Sequence, residues 1–402
     1  MTKALKSTSE TSTNVFSFFP EEGKVLLTGG GKEFIERIGV DSVRNAVYSV
    51  MIGENLRSQT EPLSRRRISQ VSGALIAMVT KGYLKIDNLQ SQLSQSAVDF
   101  LKISRKNDNS AVWLAQWIIG LTGKSVQNVL RSDSAALQDY VKDFELAIRE
   151  SADHCAKQIG DYSITLGYND TDKREEIRLD WEGMIRLTTM IGAQTLTIRG
   201  SDKSMYGKLF EKLVLGSILT ILGFKRVDPK INTETEGVFW LSDSSANRES
   251  DATLLISAGK VARFDIGFIG PGNSEISKDK LSRFDKEIET SAGKGSSVTF
   301  IIIDRLPNTG KTKAAAEKIG AEIIQMSMQY WPRELGIKLR ERFGFKHSIQ
   351  SMKDNELNEF LEKSLNQIKI QEFLSDISLE EIGVIEENQL TLNDQLNIED
   401  KG

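Results

Sequence analysis

The sequence predicts an α/β protein, a mixed sheet flanked by helices, joined to a mostly helical N-terminal region. Apolar residues recur at helical spacing through roughly the first 160 residues, and from about Ser201 short apolar strands alternate with helices. The first of these strands follow one another directly, whereas the later ones are separated by helix-length segments, which predicts antiparallel pairs followed by crossover connections. A chain of 402 residues is expected to form more than one folded region.

The composition excludes several kinds of catalytic site. A hydrophobic fraction of 39% with 27% charged residues is typical of a folded globular protein. One cysteine and two histidines exclude a disulfide framework and a cysteine-based zinc site, and they leave little room for a serine-histidine-aspartate triad. No apolar run is long enough to cross a bilayer, and the N-terminus lacks the apolar core of a secretory signal. We therefore expect a cytoplasmic protein that does not bind a membrane.

Acidic residues are concentrated at the C-terminus. The formal net charge is -4, but residues 371–402 hold nine acidic residues and one lysine, so the rest of the chain carries about +4. A mildly basic body of this kind is able to accept a polyanion.

We expect four segments along the chain. They are a disordered leader at 1–20, a helical N-terminal domain at 21–197, an α/β domain at 198–347 and a helical, acidic C-terminal segment at 348–402. Within the helical domain, Arg65, Arg66 and Arg67 follow Pro62 and are expected to open a helix, where they can contact phosphates. A solvated helix end is an equally good interpretation of this cluster.

The α/β domain is predicted to begin with one long apolar helix after Ser201. Strands are expected in the apolar segments GVFWLS, DATLLIS, VARFDIGFI, SVTFIIID and AEIIQM, and helices near 274–291 and 311–319.

Two aspartates occupy neighbouring strands of this domain. Ser257-Ala258-Gly259 has the form of a three-residue hairpin loop that ends in glycine. If Ile256 and Lys260 flank the loop, Asp251 lies opposite Asp265, with the two Cβ atoms about 5 Å apart. The other face of the hairpin is then apolar and suited to a core.

Paired carboxylates without histidine or cysteine suit a hard ion such as Mg²⁺, which supports phosphodiester hydrolysis. The competing interpretation is a set of surface salt bridges from Arg263 or Arg248, and the two aspartates alone leave both interpretations open. A lysine, Lys280, interrupts an otherwise apolar ridge on the following helix and so needs an anionic partner. Glu211 shares a helical stripe with Leu215 and Leu222, and it either pairs with a neighbouring lysine or contacts the metal.

The segments IRGSDKSMYGKLFEKLVLGSILTILGF, SDATLL and RFDIGFIGPGNSEISKDKLSRF resemble type II restriction endonucleases of the CfrBI type, within the PD-(D/E)XK nuclease superfamily. The resemblance implies that Asp251 and Asp265 are the metal ligands and that Glu211 is the helix glutamate of the superfamily. It departs from the superfamily at Gly267, where a lysine is expected, and Lys280 is the candidate replacement.

The resemblance also implies a Mg²⁺-dependent enzyme that cuts double-stranded DNA at a specific sequence, as a homodimer. The helical domain would then serve DNA recognition or dimerisation, with Arg65, Arg66, Arg67 and Arg283 as candidate DNA contacts. Two alternatives remain open. One is a catalytically inactive DNA-binding protein with a nuclease fold, suggested by Gly267, and the other is a structure-specific repair nuclease.

Overall fold

A computed structural model of the chain describes residues 14–103, 109–123, 134–170, 173–242, 250–268, 296–304, 321–327, 330–379 and 382. The chain folds into two compact units that are not consecutive in sequence. Unit 1 contains Met1–Thr28 and Arg66–Gly200, and unit 2 contains Gly29–Arg65 and Ser201–Gly402. The domain limits expected from the sequence follow the chain order and stay a proposal.

Helices make up the first part of the chain, as predicted. They are α1 (Glu21–Thr28), α2 (Gly31–Ile38), α3 (Val40–Met51), α4 (Leu56–Lys85), α5 (Leu89–Ile103), α6 (Asn109–Ile118) and α7 (Ser134–Ile159). The hairpin strands β1 (Ile164–Asp170) and β2 (Lys173–Leu179) follow, and then the 41-residue helix α8 (Trp181–Ile221). None of the helices that the structure describes is long and apolar enough to span a bilayer.

Three N-terminal features differ from the expectations. Residues 1–13 of the expected leader lie outside the described residues, whereas Val15–Phe18 form a 3₁₀ turn that buries Val15 and Phe16. Helix α4 begins at Leu56, where the Asn55 side chain accepts a hydrogen bond from the Arg57 N–H at 2.8 Å. Pro62 is therefore inside the helix, and the arginine cluster does not open it. Helix α8 begins twenty residues before the expected position.

Unit 2 is built around a mixed sheet of six strands. These are β3 (Lys225–Arg226), β4 (Val238–Leu241), β5 (Ala252–Ser257), β6 (Lys260–Gly267), β7 (Ser296–Ile303) and β8 (Glu322–Gln325). They lie in this spatial order, with β4, β5 and β6 antiparallel and β6, β7 and β8 parallel. The predicted mixed sheet is confirmed, while the predicted helices near 274–291 and 311–319 lie outside the described residues.

Aromatic side chains fill the core of unit 2. Phe264 and Phe300 stack on neighbouring strands with ring centroids 5.2 Å apart, and both are fully buried. Helices α9 (Trp331–Phe343) and α10 (Asp354–Asn366) complete the described part of the unit. The buried Trp331 Nε1 donates to the Val50 carbonyl at 2.9 Å, which ties α9 to α3. This contact helps to explain why residues 29–65 belong with the sheet.

An ion cluster lies between the helices of unit 1. Arg186 on α8 is 3% exposed, and its guanidinium donates to both carboxylate oxygens of Glu145 on α7 and to Glu182 Oε1 at 2.9 Å. Burial alone would raise the pKa of Glu145, but hydrogen bonds from Arg186 and Ser94 and the charge of Arg186 outweigh it, so this pKa lies below its ordinary value. The carboxylate therefore stays ionised and holds three helical segments together.

We predict that Glu145→Gln destabilises unit 1 by about 3 kcal/mol at pH 7, because it leaves a buried guanidinium only partly compensated. The folded pKa of Glu145 is depressed, so this stabilisation is complete above the ordinary value of 4.5 and is lost as the pH falls through the folded pKa. Melting temperatures of the wild type and the variant should therefore converge as the pH falls through the folded pKa of Glu145, which lies below 4.5. The exposed Glu150 on the same helix provides the control, since Glu150→Gln should change little at any pH. A gap between wild type and Glu145→Gln that does not vary with pH would contradict this prediction.

We also predict opposite effects for alanine at two glycines of α8. A Cβ at Gly216 would lie 2.7 to 2.9 Å from the Phe373 ring, whereas nothing lies within 4 Å of one at Gly207. Gly207→Ala should raise the free energy of unfolding by about 1 kcal/mol through helix propensity. Gly216→Ala should lower it by about 1 kcal/mol, because a steric cost of roughly 2 kcal/mol outweighs the same gain. Urea denaturation followed by circular dichroism measures both, and stabilisation by both variants would contradict the packing at Gly216.

Candidate active site

The β5–β6 hairpin brings the two aspartates to the same face of the sheet. Thr253 pairs with Arg263 and Ala252 with Phe264, and continuing this register by one residue places Asp251 opposite Asp265. The predicted register is therefore confirmed for the body of the hairpin. The turn differs from the expectation, because Ser257 pairs with Lys260 and the register shifts between Leu255 and Ser257. Gly259 supplies the positive φ of 77° that this shorter turn requires.

The opposite face of the hairpin lies in the core, as predicted. Ala252 and Leu254 on β5 are fully buried, and so are Ala262, Phe264 and Ile266 on β6. Asp251 and Asp265 are each half-buried, with Oδ2 of Asp265 buried. The acids are thus held at the edge of a rigid apolar layer and are partly shielded from water.

The side chain of Asp251 is bound to the neighbouring strand. Its Oδ2 accepts a hydrogen bond from the Ile266 N–H at 2.8 Å, directly after Asp265 in the chain. Asp251 precedes the first residue of β5, so its carboxylate continues the hydrogen bonding beyond the end of that strand. This contact fixes the orientation of the carboxylate.

Helix α8 supplies a cation beside this end of the hairpin. The Lys212 Nζ donates to the carbonyl of Ser242, the residue directly after β4. The Ser242 N–H in turn donates to the Asp251 carbonyl at 3.2 Å. Lys212 is therefore fixed next to the main chain that carries Asp251. The sequence interpretation missed this role, because Ser242 and Lys212 are thirty residues apart.

Glu211 is half-buried on α8, while its stripe partners Leu215, Ile218 and Leu222 are buried. Among the described residues, no group of three or more histidine, cysteine, aspartate or glutamate side chains is placed to hold a metal ion. Glu211 thus does not complete a three-carboxylate group with the aspartates. Two carboxylates are still a suitable donor set for Mg²⁺, which keeps several of its waters in most protein sites.

A further acid that the sequence interpretation missed follows β7. Asp304 donates its N–H to the Gly267 carbonyl at 3.3 Å, so it lies at the end of β7 beside the end of β6. Its Oδ2 accepts from Asn55 Nδ2 at 2.9 Å. An aspartate directly after the buried strand was the available signal, since ligands often bind at the carboxyl ends of parallel strands.

The remaining candidates are divided by their placement. Lys280 and Arg283 lie outside the described residues. Arg65 and Arg66 are exposed on α4, with Arg65 Nε 3.5 Å from Glu61. Arg67 is only 1% exposed, and its Nε donates to the Leu26 carbonyl at 2.9 Å. Its burial gives Arg67 a packing role that its neighbours do not have.

Comparisons with known proteins agree with this architecture. The model of the CfrBI restriction endonuclease family matches residues 40–311, more than half of the chain. The type II restriction enzyme CfrBI of Citrobacter freundii is 28% identical over 367 residues, which cover 89% of this chain and 97% of that enzyme. No solved structure matches the chain. The match extends across the aspartate hairpin and most of the helical region, and the chain therefore belongs to the CfrBI restriction endonuclease family.

Proposed function

We propose that this protein is a type II site-specific deoxyribonuclease that hydrolyses phosphodiester bonds of double-stranded DNA with Mg²⁺. The observation that carries the proposal is the pairing register that places Asp251 opposite Asp265, in a chain of this family. The catalytic part is assigned to residues 198–347, and the protein would act in the cytoplasm, where its DNA substrate is found.

Asp251 and Asp265 are the residues that would hold the metal. Bound Mg²⁺ supplies the chemistry that carboxylates lack, because it lowers the pKa of a water and stabilises negative charge on the phosphate. The N–H of Ile266 keeps the Asp251 carboxylate oriented before the substrate arrives. The buried apolar face of the hairpin limits its movement, so both carboxylates are held before the substrate arrives.

A lysine near the carboxylates would contribute a further positive charge toward the phosphate. Gly267 has no side chain to supply it, and Lys280 is the candidate from the sequence. Lys212 is the lysine that the described part of the chain fixes beside Asp251, through Ser242. Glu211, its neighbour on α8, would act on water or on Lys212 instead of directly on the metal.

The exposed side chains of Arg65 and Arg66 are proposed contacts to DNA phosphates, together with Arg283. The helical N-terminal region would serve recognition or dimerisation. A homodimer accounts most simply for cutting both strands of a symmetric site, because each copy then supplies one active site.

A second candidate function is a DNA-binding protein without catalysis. The observation that favours it is Gly267 at the end of β6, where the superfamily pattern expects a lysine. Digestion of plasmid and phage DNA with Mg²⁺, followed by sequencing of the ends, separates the two functions. Discrete fragments that disappear with a chelator support the nuclease, whereas intact DNA that stays bound supports the second candidate. Cuts set by DNA structure instead of sequence would indicate a repair nuclease.

We predict that Asp251→Asn and Asp265→Asn each lower the rate of Mg²⁺-dependent cleavage by at least about 10³-fold, because loss of a metal ligand removes several kcal/mol of transition-state stabilisation. Affinity for DNA without metal should equal or exceed that of the wild type, since each substitution removes a negative charge that repels a phosphate. Glu236→Gln, an exposed carboxylate of unit 2, is the matched control and should cleave normally. Cleavage that survives in both aspartate variants would rule out this site. The same assay on Lys280→Met and Lys212→Met tells which lysine the reaction needs.

We predict that Arg65 and Arg66 contribute to DNA binding, whereas the buried Arg67 contributes to protein stability. Arg65→Gln and Arg66→Gln should each reduce the slope of log affinity against log salt concentration by about one, because each removes one phosphate contact. Their melting temperatures should stay unchanged. Arg67→Gln should instead lower the melting temperature, since it removes a buried donor from the Leu26 carbonyl. Equal salt slopes for the wild type and both exposed-arginine variants would remove these residues from the DNA interface.

A further inference from the structure

Unit 1 contains a cavity of about 700 Å³ between the start of α5, the middle of α7 and the start of α8. This volume lies within the range of roughly 300 to 1,000 Å³ that small-molecule sites occupy. Most such sites are mainly apolar, but Val141 is the one aliphatic side chain among the described residues that line this cavity. The walls carry amide and hydroxyl groups instead, from Gln90, Ser91, Gln95 and Gln138.

The floor of the cavity is the ion cluster of Arg186, Glu145 and Glu182. One guanidinium between two carboxylates leaves the floor with one net negative charge. The bidentate pairing with Glu145 fixes its geometry. The Arg186 Nε–H is buried and has no acceptor within the described part of the chain, so one donor of the cluster is not used by the fold.

The rim has the opposite sign. Lys142 and Arg149 on α7 line the cavity with side chains 75% and 63% exposed. Surface ion pairs to Asp139 and Glu145 hold them only weakly, because exposed pairs contribute little. The lining thus combines two exposed cations with neutral amides and with half-buried carboxylates.

We propose that this cavity binds one nucleotide of the DNA substrate, with the base inside it and the phosphate at the rim. This rests on the proposed function, which supplies DNA as the substrate. The Gln138 amide matches the paired donor and acceptor on a base edge, whereas Gln90 Oε1 already accepts from Tyr83 and Gln95 Nε2 donates to Asp99. Carboxylates accept from an exocyclic amino group. The Lys142 and Arg149 side chains are suited to a backbone phosphate, and a guanidinium plane can also stack on a base.

The shape of the cavity decides how the base is presented. The grooves of a duplex are concave, so reading a base inside a groove needs a protein element that projects from the surface. A recessed site can accept a base only if the base leaves the helical stack, which requires a few kcal/mol of unstacking energy. An extrahelical nucleotide is the form of the substrate that places its base among the lining side chains, and the cavity then contributes to sequence selection at that position.

The test uses full-length protein and duplexes that carry 2-aminopurine at one position each, with Ca²⁺ replacing Mg²⁺ so that the DNA stays intact. The sequence preference of the wild type is first defined by selection from a random duplex pool, which does not depend on cleavage. Wild-type protein should increase the fluorescence several-fold at one position, because unstacking relieves quenching of the analogue. Gln138→Leu should abolish this increase and weaken binding of the selected site by about 10- to 100-fold. The matched control is Gln158→Leu, an exposed glutamine on the same helix outside the cavity.

Melting temperatures establish whether the variants fold. If Gln138→Leu does not fold, Gln90→Leu on α5 provides a second cavity variant. The proposal would be overturned if the wild type increased 2-aminopurine fluorescence at no position, or if the cavity variants increased it as much as the wild type. Calorimetry with a free deoxynucleoside monophosphate tests the other source of the ligand. If the wild type binds this nucleotide, the cavity variants do not, and no duplex shows a fluorescence increase, then the cavity binds a free nucleotide and the proposal for DNA is overturned. Failure of the proposed function appears separately, as a wild type that never cleaves with Mg²⁺.

Discussion

The register of the β5–β6 hairpin is the constraint on which the candidate active site depends. Because side chains alternate between the two faces of a strand, a shift by one residue would turn every side chain of the shifted strand to the other face. Leu254 and Phe264 would then leave a core in which they are fully buried. The free energy of burying these residues therefore also fixes the relative placement of Asp251 and Asp265. The hairpin turn at Gly259 makes the same register possible locally.

The parts of the fold that the sequence predicted are those set by neighbouring residues. Five of the six described strands of the α/β region were found because each is a short apolar run with clear ends, whereas the two-residue strand β3 was missed. The hairpin register followed from the position of Gly259. The β1–β2 hairpin was missed, although Ile164, Leu166 and Tyr168 alternate with smaller or polar residues. The start of α4 was also misplaced, because Pro62 was interpreted as a boundary, whereas Asn55 caps the helix seven residues earlier. A proline inside a helix is tolerated when the packing of the rest of the helix compensates for it.

Contacts between side chains that are far apart in the sequence could not be predicted from local patterns. Arg186 lies 41 residues from Glu145 and 92 from Ser94, and a chain that is 27% charged offers many other pairings. The arginine run shows an intermediate case. Successive residues on a helix point about 100° apart, so three adjacent arginines cannot all face solvent on a packed helix. Arg67 lies one turn before the buried Val71, so the helical spacing places Arg67 on the buried face of the helix, whereas Arg65 and Arg66 are exposed.

Electrostatics connects the hairpin with the rest of the proposed mechanism. Two carboxylates at facing positions of neighbouring strands repel each other when no cation lies between them. The β5–β6 register holds them together, since a shift of one residue would take the buried Leu254 and Phe264 out of the core. A DNA phosphate would add negative charge at the same place, and Lys212 lies close enough to the main chain of Asp251 to offset only part of it. A divalent cation held by Asp251 and Asp265 would relieve the repulsion between the carboxylates and would also attract the phosphate. Under the proposed mechanism, metal binding and DNA binding at this hairpin would therefore be coupled, and by linkage each would increase the affinity for the other by the same factor.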